Sequence, residues 1–276
     1  AQRFLRSPEG DVAMGFVDEA ALEDLAVKLP PILGLLAVLA TYAAAQGKAR
    51  WGDKTPLYMQ YLPVLERLFP DARYVHLVRD GRDAALSFLD VPDGIMTEAW
   101  GHPRDAAGFA LMWRTEVEAA RALGARVGPG RYIELRYEAL VAAPAETLRG
   151  ACGFAGLAFD DAMLDYVGRS GSASKPHQQR LNQPPTPGVR DWRSALPAED
   201  ARRFEAVAGD LLAALGYETA SAAPPSGAAR AALRRYRLET RAWRLAGAVV
   251  QRSPLWRRRH PVVRATGSPR TRPGSR

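Results

Sequence analysis

The stretch VRDGRDAALS, residues 78–87, sets two arginines, two aspartates and a serine directly behind the apolar, β-prone run RYVHLV. Where a strand turns into a helix, such residues can serve an anion, because the helix start offers free backbone N–H groups and the positive end of its dipole. Arg79, at the last strand position, can bring a bidentate guanidinium to that spot, and Ser87, two turns on, can add a hydroxyl. Phosphate or sulfate suits this donor set. The structural alternative pairs Arg79 with Asp80 or Asp83 at the corner and leaves Ser87 to pack. A second stretch, WGDKTP (51–56), places Lys54 just ahead of a helix start, with Thr55 as N-cap and Pro56 at the first helical position. A lysine there is disfavoured by the helix dipole unless it shares an anion. Together with Arg79 it suggests a polyanionic ligand.

The elements that must hold these residues alternate. Helical spacing runs through 17–29, through the apolar stretch that follows it, and through PLYMQYLPVLERLF (56–69). RYVHLVR (73–79) reads as a short strand, DAALSFL behind it as a helix whose start is marked by Asp80 and Gly81, and GFALMWRTEVEAARALG (108–124) as a further helix. GPG (128–130) is a turn and RYIELRY (131–137) a second strand. Alternation of this kind predicts an α/β fold, a parallel sheet covered by helices with ligands at the carboxyl ends of the strands. Residues 169–190, rich in Ser, Gln, Pro and Gly, form a long loop, and 197–217 the last helix of the body. The expected division is a domain over 1–219 and a linker and Arg-rich, partly disordered tail over 220–276, with one amphipathic helix at roughly 228–250.

Composition bounds the function. The net charge of +8 is unevenly spread: residues 227–276 hold 14 arginines and one acidic residue, whereas the other 226 carry 24 Lys and Arg against 29 Asp and Glu. The chain is a mildly acidic body with a basic tail. Its single cysteine, Cys152, excludes an intramolecular disulfide and a cysteine-based zinc cluster, and fits a reducing cytoplasm. His76, His102, His177 and His260 are widely scattered, so no metal site is expected, and His76 reads as a satisfied core residue. No G-x-x-x-x-G-K-S/T is present, which argues against a P-loop nucleotide kinase. LPPILGLLAVLATYAAA, from Leu29, is about 17 residues long with two prolines and a glycine, marginal for a membrane span.

KTPLYMQYLPVLERLFPDARYVHLVRDGRDAALS resembles the central segment of sulfotransferases that use 3′-phosphoadenylyl sulfate (PAPS), above all the bacterial group related to protein-tyrosine sulfotransferases. RYIELRYEALVAAPAETLRGACGFAGLAF resembles that family's next block, and GVRDWRSAL (188–196) the block that closes the nucleotide site. The matches run in the family's order over roughly residues 51–217. The resemblance implies a P-loop-like three-layer fold with a central parallel sheet. It implies that Arg79 and Ser87 grip the 3′-phosphate of the nucleotide and that Tyr137 lies beside it. Lys54 would stabilise charge on the sulfuryl group and the bridging oxygen as transfer proceeds. Trp192 would anchor its loop by burial, and Lys175 and Arg180 lie where the family folds over the nucleotide.

The resemblance fails at the family's first block, a strand and a P-R/K-S-G-T-T loop that holds the 5′ side of PAPS. LRSPEG (5–10) shares only its R-S, and Glu9, Glu19 and Glu23 match no general base. The expectation is therefore a fragment of a PAPS-dependent enzyme with an incomplete active site, acting without metal on a hydroxyl-bearing acceptor, whether small molecule, carbohydrate or peptide. The rival is a degenerate relative that works through its basic tail on nucleic acid or a membrane surface. Peripheral membrane contact through the tail is compatible with either reading; nucleic acid is the less expected partner.

Overall fold

The computed structural model describes residues 41–54, 58–59, 62–89, 103–165 and 191–252, in two compact units, Ala1–Thr55 with Ala246–Arg276, and Pro56–Leu245. Of the first unit, residues 41–45 are helical and Lys54 lies exposed in an irregular segment. The long loop with Lys175 and Arg180, the N-terminal glutamates, Thr55, Pro56 and the chain beyond 252 fall outside the described residues.

The second unit carries the alternation that the sequence predicts. Its elements are α1 (Leu62–Leu68), β1 (Tyr74–Val78), α2 (Gly81–Leu89), α3 (Ala106–Val127), β2 (Tyr132–Arg136), α4 (Tyr137–Ala142) and α5 (Pro144–Ala155). After a 3-10 turn at Asp161–Leu164 come α6 (Trp192–Ala195), α7 (Ala198–Ala214) and α8 (Gly227–Arg252), which continues beyond this unit. The strands pair in parallel, Tyr74 opposite Tyr132 and Val78 opposite Arg136. Within the 56–69 periodicity, 58–59 are in a 3-10 turn and Leu62–Leu68 are α-helical, while 56–57 and 60–61 lie outside the described residues. Pro63 has no N–H to give, so it is tolerated in the first turn and nowhere later in a helix. α3 is longer than expected: Asp105 caps it by accepting from the Gly108 N–H at 2.7 Å, and Gly128 ends it with φ of 78°.

The core forms where α3 crosses α7. Phe109, Trp113 and Val117 meet Phe204, Ala208, Leu211 and Leu212, with Val78 of β1 and Ala85 of α2 joining the same cluster. Trp113 and Phe204 pack as a tilted pair 5.7 Å apart, each large side chain contributing roughly 1.5–3 kcal/mol by burial. Gly81 opens α2 at this crossing because nothing larger fits: a Cβ there would stand 2.4 Å from Phe204 Cζ. The sheet's other face is barely covered, Val75 and Leu77 being 51 % and 47 % exposed. Parallel sheets are normally buried on both faces.

α7 also carries the chain's return. A Cβ on Gly209 would lie 2.0 Å from the Ser221 carbonyl oxygen, which as backbone cannot swing aside. Gly209→Ala is therefore expected to cost about 1–3 kcal/mol through overpacking, although alanine gains up to ~1 kcal/mol in helix propensity. Urea unfolding of both proteins measures the net; a variant as stable as wild type would show that the 218–221 segment can move away.

Candidate active site

The carboxyl end of β1 is held from three sides. Trp113 Nε1 donates to the Arg79 carbonyl at 3.2 Å, and the Asp80 N–H donates to Glu138 Oε1 at 2.9 Å. The Tyr217 hydroxyl donates to Glu138 Oε2 at 3.0 Å and lies 3.5 Å from the Val78 carbonyl. Burial and the adjacent Glu138 carboxylate raise the Tyr217 pKa, so it stays a neutral donor. Residues from α3, from α4 just after β2, and from the segment after α7 thus fix the backbone of residues 78–80.

Just beyond, a charged cluster is buried. Arg82 is fully buried, with Asp80 and Glu205 6 % and 5 % exposed. Its guanidinium donates to Asp80 Oδ1 at 3.0 Å and Oδ2 at 2.8 Å, to Glu205 Oε1 at 2.5 Å and to the Glu218 carbonyl at 2.6 Å. Asp80 Oδ1 also accepts from the Arg82 N–H at 2.9 Å and so caps the start of α2. The Trp192 ring covers this guanidinium at 3.7 Å, and the Trp192 N–H donates to Asp83 Oδ1 at 2.8 Å. Burial raises the Asp83 pKa, against the lowering effects of that bond and of nearby Arg79.

These bonds account for both aspartates and leave Arg79 over. No ion pair joins Arg79 to Asp80 or Asp83 among the described residues. Its Nε is buried without a hydrogen-bond partner, and its guanidinium stacks 4.9 Å from the centre of the Tyr137 ring. An arginine whose backbone is locked, whose plane lies against an aromatic ring and whose donor is unmet can receive an oxyanion at small reorganisation cost. Of the four residues singled out by sequence, Arg79 and Tyr137 meet directly. Ser87 is half-buried on α2, one turn beyond Asp83, and Lys54 belongs to the other unit. Trp192 is half-buried, its N–H on Asp83 and its ring over the Arg82 guanidinium, and the loop before it lies outside the described residues. His76 is satisfied as expected, 2.8 Å from the Tyr132 hydroxyl. The Asp80–Arg82–Glu205 cluster was not foreseen. Its one sequence signal is Glu205 standing in the apolar stripe of α7, among Ala201, Phe204, Ala208 and Leu212.

A separate cavity of about 730 Å³ lies among α1, α3 and α8, lined by Leu62, Thr115, Glu116, Ala119, Tyr236 and Leu245 among others. Thr115 Oγ1 is buried there without a partner. Burial alone pushes the Glu116 carboxyl up to about 7 from its ordinary 4.5. Ionising Glu116 costs the folded chain more than the unfolded one. The stability present below pH 4.5 is therefore lost as pH rises through about 7, by up to ~3 kcal/mol. Glu116→Gln should remove that slope, raising the unfolding free energy over wild type at pH 8 by far more than at pH 5. Parallel unfolding curves at both pH values would show a hydrated Glu116.

The chain is similar to known proteins. The model of the Sulfotransferase family matches residues 33–161. A putative protein-tyrosine sulfotransferase of Caenorhabditis elegans is 25% identical over 178 residues, 62% of this chain and 67% of that protein. Nodulation protein NoeE of Sinorhizobium fredii is 28% identical over 210 residues, 66% and 48% of the two chains, and carbohydrate sulfotransferase 2 of Mus musculus 31% over 152, 51% and 28%. The chain thus spans between about a quarter and two thirds of these relatives. Among solved structures, the sulfotransferase domain of the Synechococcus PCC 7002 olefin synthase is 28% identical, covers 79% of each chain and superposes with a TM-score of 0.48.

Proposed function

From the match of the Sulfotransferase family model to residues 33–161, we propose that this chain forms part of an enzyme moving a sulfuryl group from PAPS to a hydroxyl acceptor. The observation that carries this reading is the buried, unpartnered Nε of Arg79 at a strand end whose other charges are already paired. In the reaction the acceptor oxygen attacks sulfur, the bond from sulfur to the bridging phosphate oxygen breaks, the hydroxyl proton leaves to a base, and adenosine 3′,5′-bisphosphate departs. As in phosphoryl transfer, such a step needs mainly alignment and donors spread over the developing charge.

Arg79 and Ser87 are assigned to the 3′-phosphate, with the α2 N-terminus adding its backbone dipole. Tyr137 supports the Arg79 plane and flanks the nucleotide. Lys54 is assigned to the sulfuryl and bridging oxygens, and no side chain is assigned as base. The proposed acceptor is a small alcohol, a carbohydrate or a peptide tyrosine, and the proposed site is the cytoplasm. The proposed division is a sulfotransferase domain to residue 219 and a basic extension from 220.

Calorimetric titration with adenosine 3′,5′-bisphosphate and, in parallel, adenosine 5′-monophosphate tests the assignment. Binding of the bisphosphate at least ~30-fold tighter than the monophosphate is expected, since the 3′-phosphate brings the charge-assisted bonds. Equal affinities, or no binding by a folded chain, would refute it.

A further inference from the structure

α8 presents two unlike faces. Inward, Leu233 is 5 % exposed within the core, and Arg237 pairs with Glu118 of α3. Away from the core, Leu238 and Leu245 are 64 % and 70 % exposed, the most exposed large hydrophobic side chains among the described residues, with Leu245 and Arg241 also lining the cavity among α1, α3 and α8. Seven positions apart, they lie on one meridian of the helix. Arg234 and Arg235 precede Leu238 by four and three positions, and Arg241 follows it by three. All three are exposed and flank the leucines on both sides. The one acidic residue of α8, Glu239, is taken up 3.6 Å from Arg235 Nε. In sequence, residues 227–276 add up to 14 arginines against that single acid.

We propose that this outward face of α8 seats the protein on an anionic phospholipid surface, the leucines entering the acyl boundary and the arginines meeting lipid phosphates. A helix of high amphipathicity, low mean hydropathy and an Arg-rich polar face lies in the plane of the interface, and polybasic sequence strengthens its hold on acidic lipid. No described helix is long and apolar enough to cross a membrane, so the contact is peripheral. Charge alone would suit a nucleic acid equally. The leucines decide: a phosphate backbone leaves both in water, whereas a bilayer removes them from it. The proposal is independent of the nucleotide reading, because Arg79, Ser87 and Tyr137 take no part in it.

The test is co-sedimentation of the full chain with vesicles of phosphatidylcholine alone and with roughly one third phosphatidylglycerol, an anionic content at which polybasic attraction is strong. Wild type is expected on the anionic vesicles and largely absent from the zwitterionic ones. Leu238→Asn/Leu245→Asn should weaken binding at least about tenfold at constant charge, and Arg234→Gln/Arg235→Gln/Arg241→Gln by roughly 10²-fold. The substituted side chains are exposed, so unchanged circular dichroism and unchanged bisphosphate titration are expected of both. No binding by wild type would overturn the proposal. So would full vesicle binding by the leucine variant, poly(U) outcompeting the vesicles in both proteins, or a dimer that the leucine variant abolishes in place of vesicle binding.

Discussion

Replacing Arg79 by alanine is expected to lower affinity for adenosine 3′,5′-bisphosphate by roughly 30- to 1,000-fold, the usual consequence of truncating one partner of a buried charge-assisted contact. Folding stability should change by less than about 1 kcal/mol. The asymmetry follows from the contacts. The Arg79 main chain stays held by Trp113 and by the bond from Asp80 to Glu138. Its side chain gives the fold the stacking on Tyr137, worth ~0.5–1 kcal/mol, and a weak attraction to the Asp83 carboxylate, while truncation relieves the burial of an unmatched Nε. Arg79→Lys keeps the charge but loses the planar fork, and an intermediate loss near tenfold is expected. Ser87→Ala should cost less, about 2- to 10-fold, as one neutral hydrogen bond does. Titration calorimetry and thermal unfolding on the same samples separate the readings. If Arg79→Ala unfolds readily yet binds unchanged, Arg79 is a structural arginine and the anion site lies elsewhere.

The path from sequence to this site was legible in parts. Strand, helix and turn around RYVHLVRDGRDAALS could be read because burial period and turn residues agree there: five β-prone residues, then Asp80 and Gly81 at a helix start. The close approach behind Gly81 could not, since the ring that excludes a Cβ comes from Phe204, more than a hundred positions on. The same distance hid the partners of Arg82. Local spacing made Arg79 the natural mate of Asp80 or Asp83, whereas the fold gives Asp80 to Arg82 and gives Asp83 the Trp192 N–H. Arginine is long enough for its partner to be set by tertiary packing rather than by position in the motif.

The buried cluster behind the site yields the other large effect, on stability rather than binding. Arg82→Ala strips Asp80 and Glu205 of a shared counter-ion while leaving both nearly dry, and removing one member of a buried ionic set typically costs about 3–5 kcal/mol. Bonds to the Glu218 carbonyl and the cover of the Trp192 ring go with it. For a unit of this size that is roughly a 10 °C fall in melting temperature. The loss belongs to the uncompensated carboxylates rather than to the arginine, and a second variant shows this. In Arg82→Met/Asp80→Asn/Glu205→Gln no buried charge remains, the side chain at 80 still accepts from the backbone N–H of 82, and volume is nearly kept. Most of the stability should return, making the three substitutions strongly non-additive. Arg82→Ala within about 1 kcal/mol of wild type would mean that water reaches the cluster and that the α2 start is not clamped by it. If instead the triple variant recovers stability but binds the bisphosphate weakly, the cluster's role is to hold the α2 N-terminus in register with Arg79. Charge at the strand end then divides cleanly: Arg82 is consumed by the fold so that Arg79 can be left for the ligand.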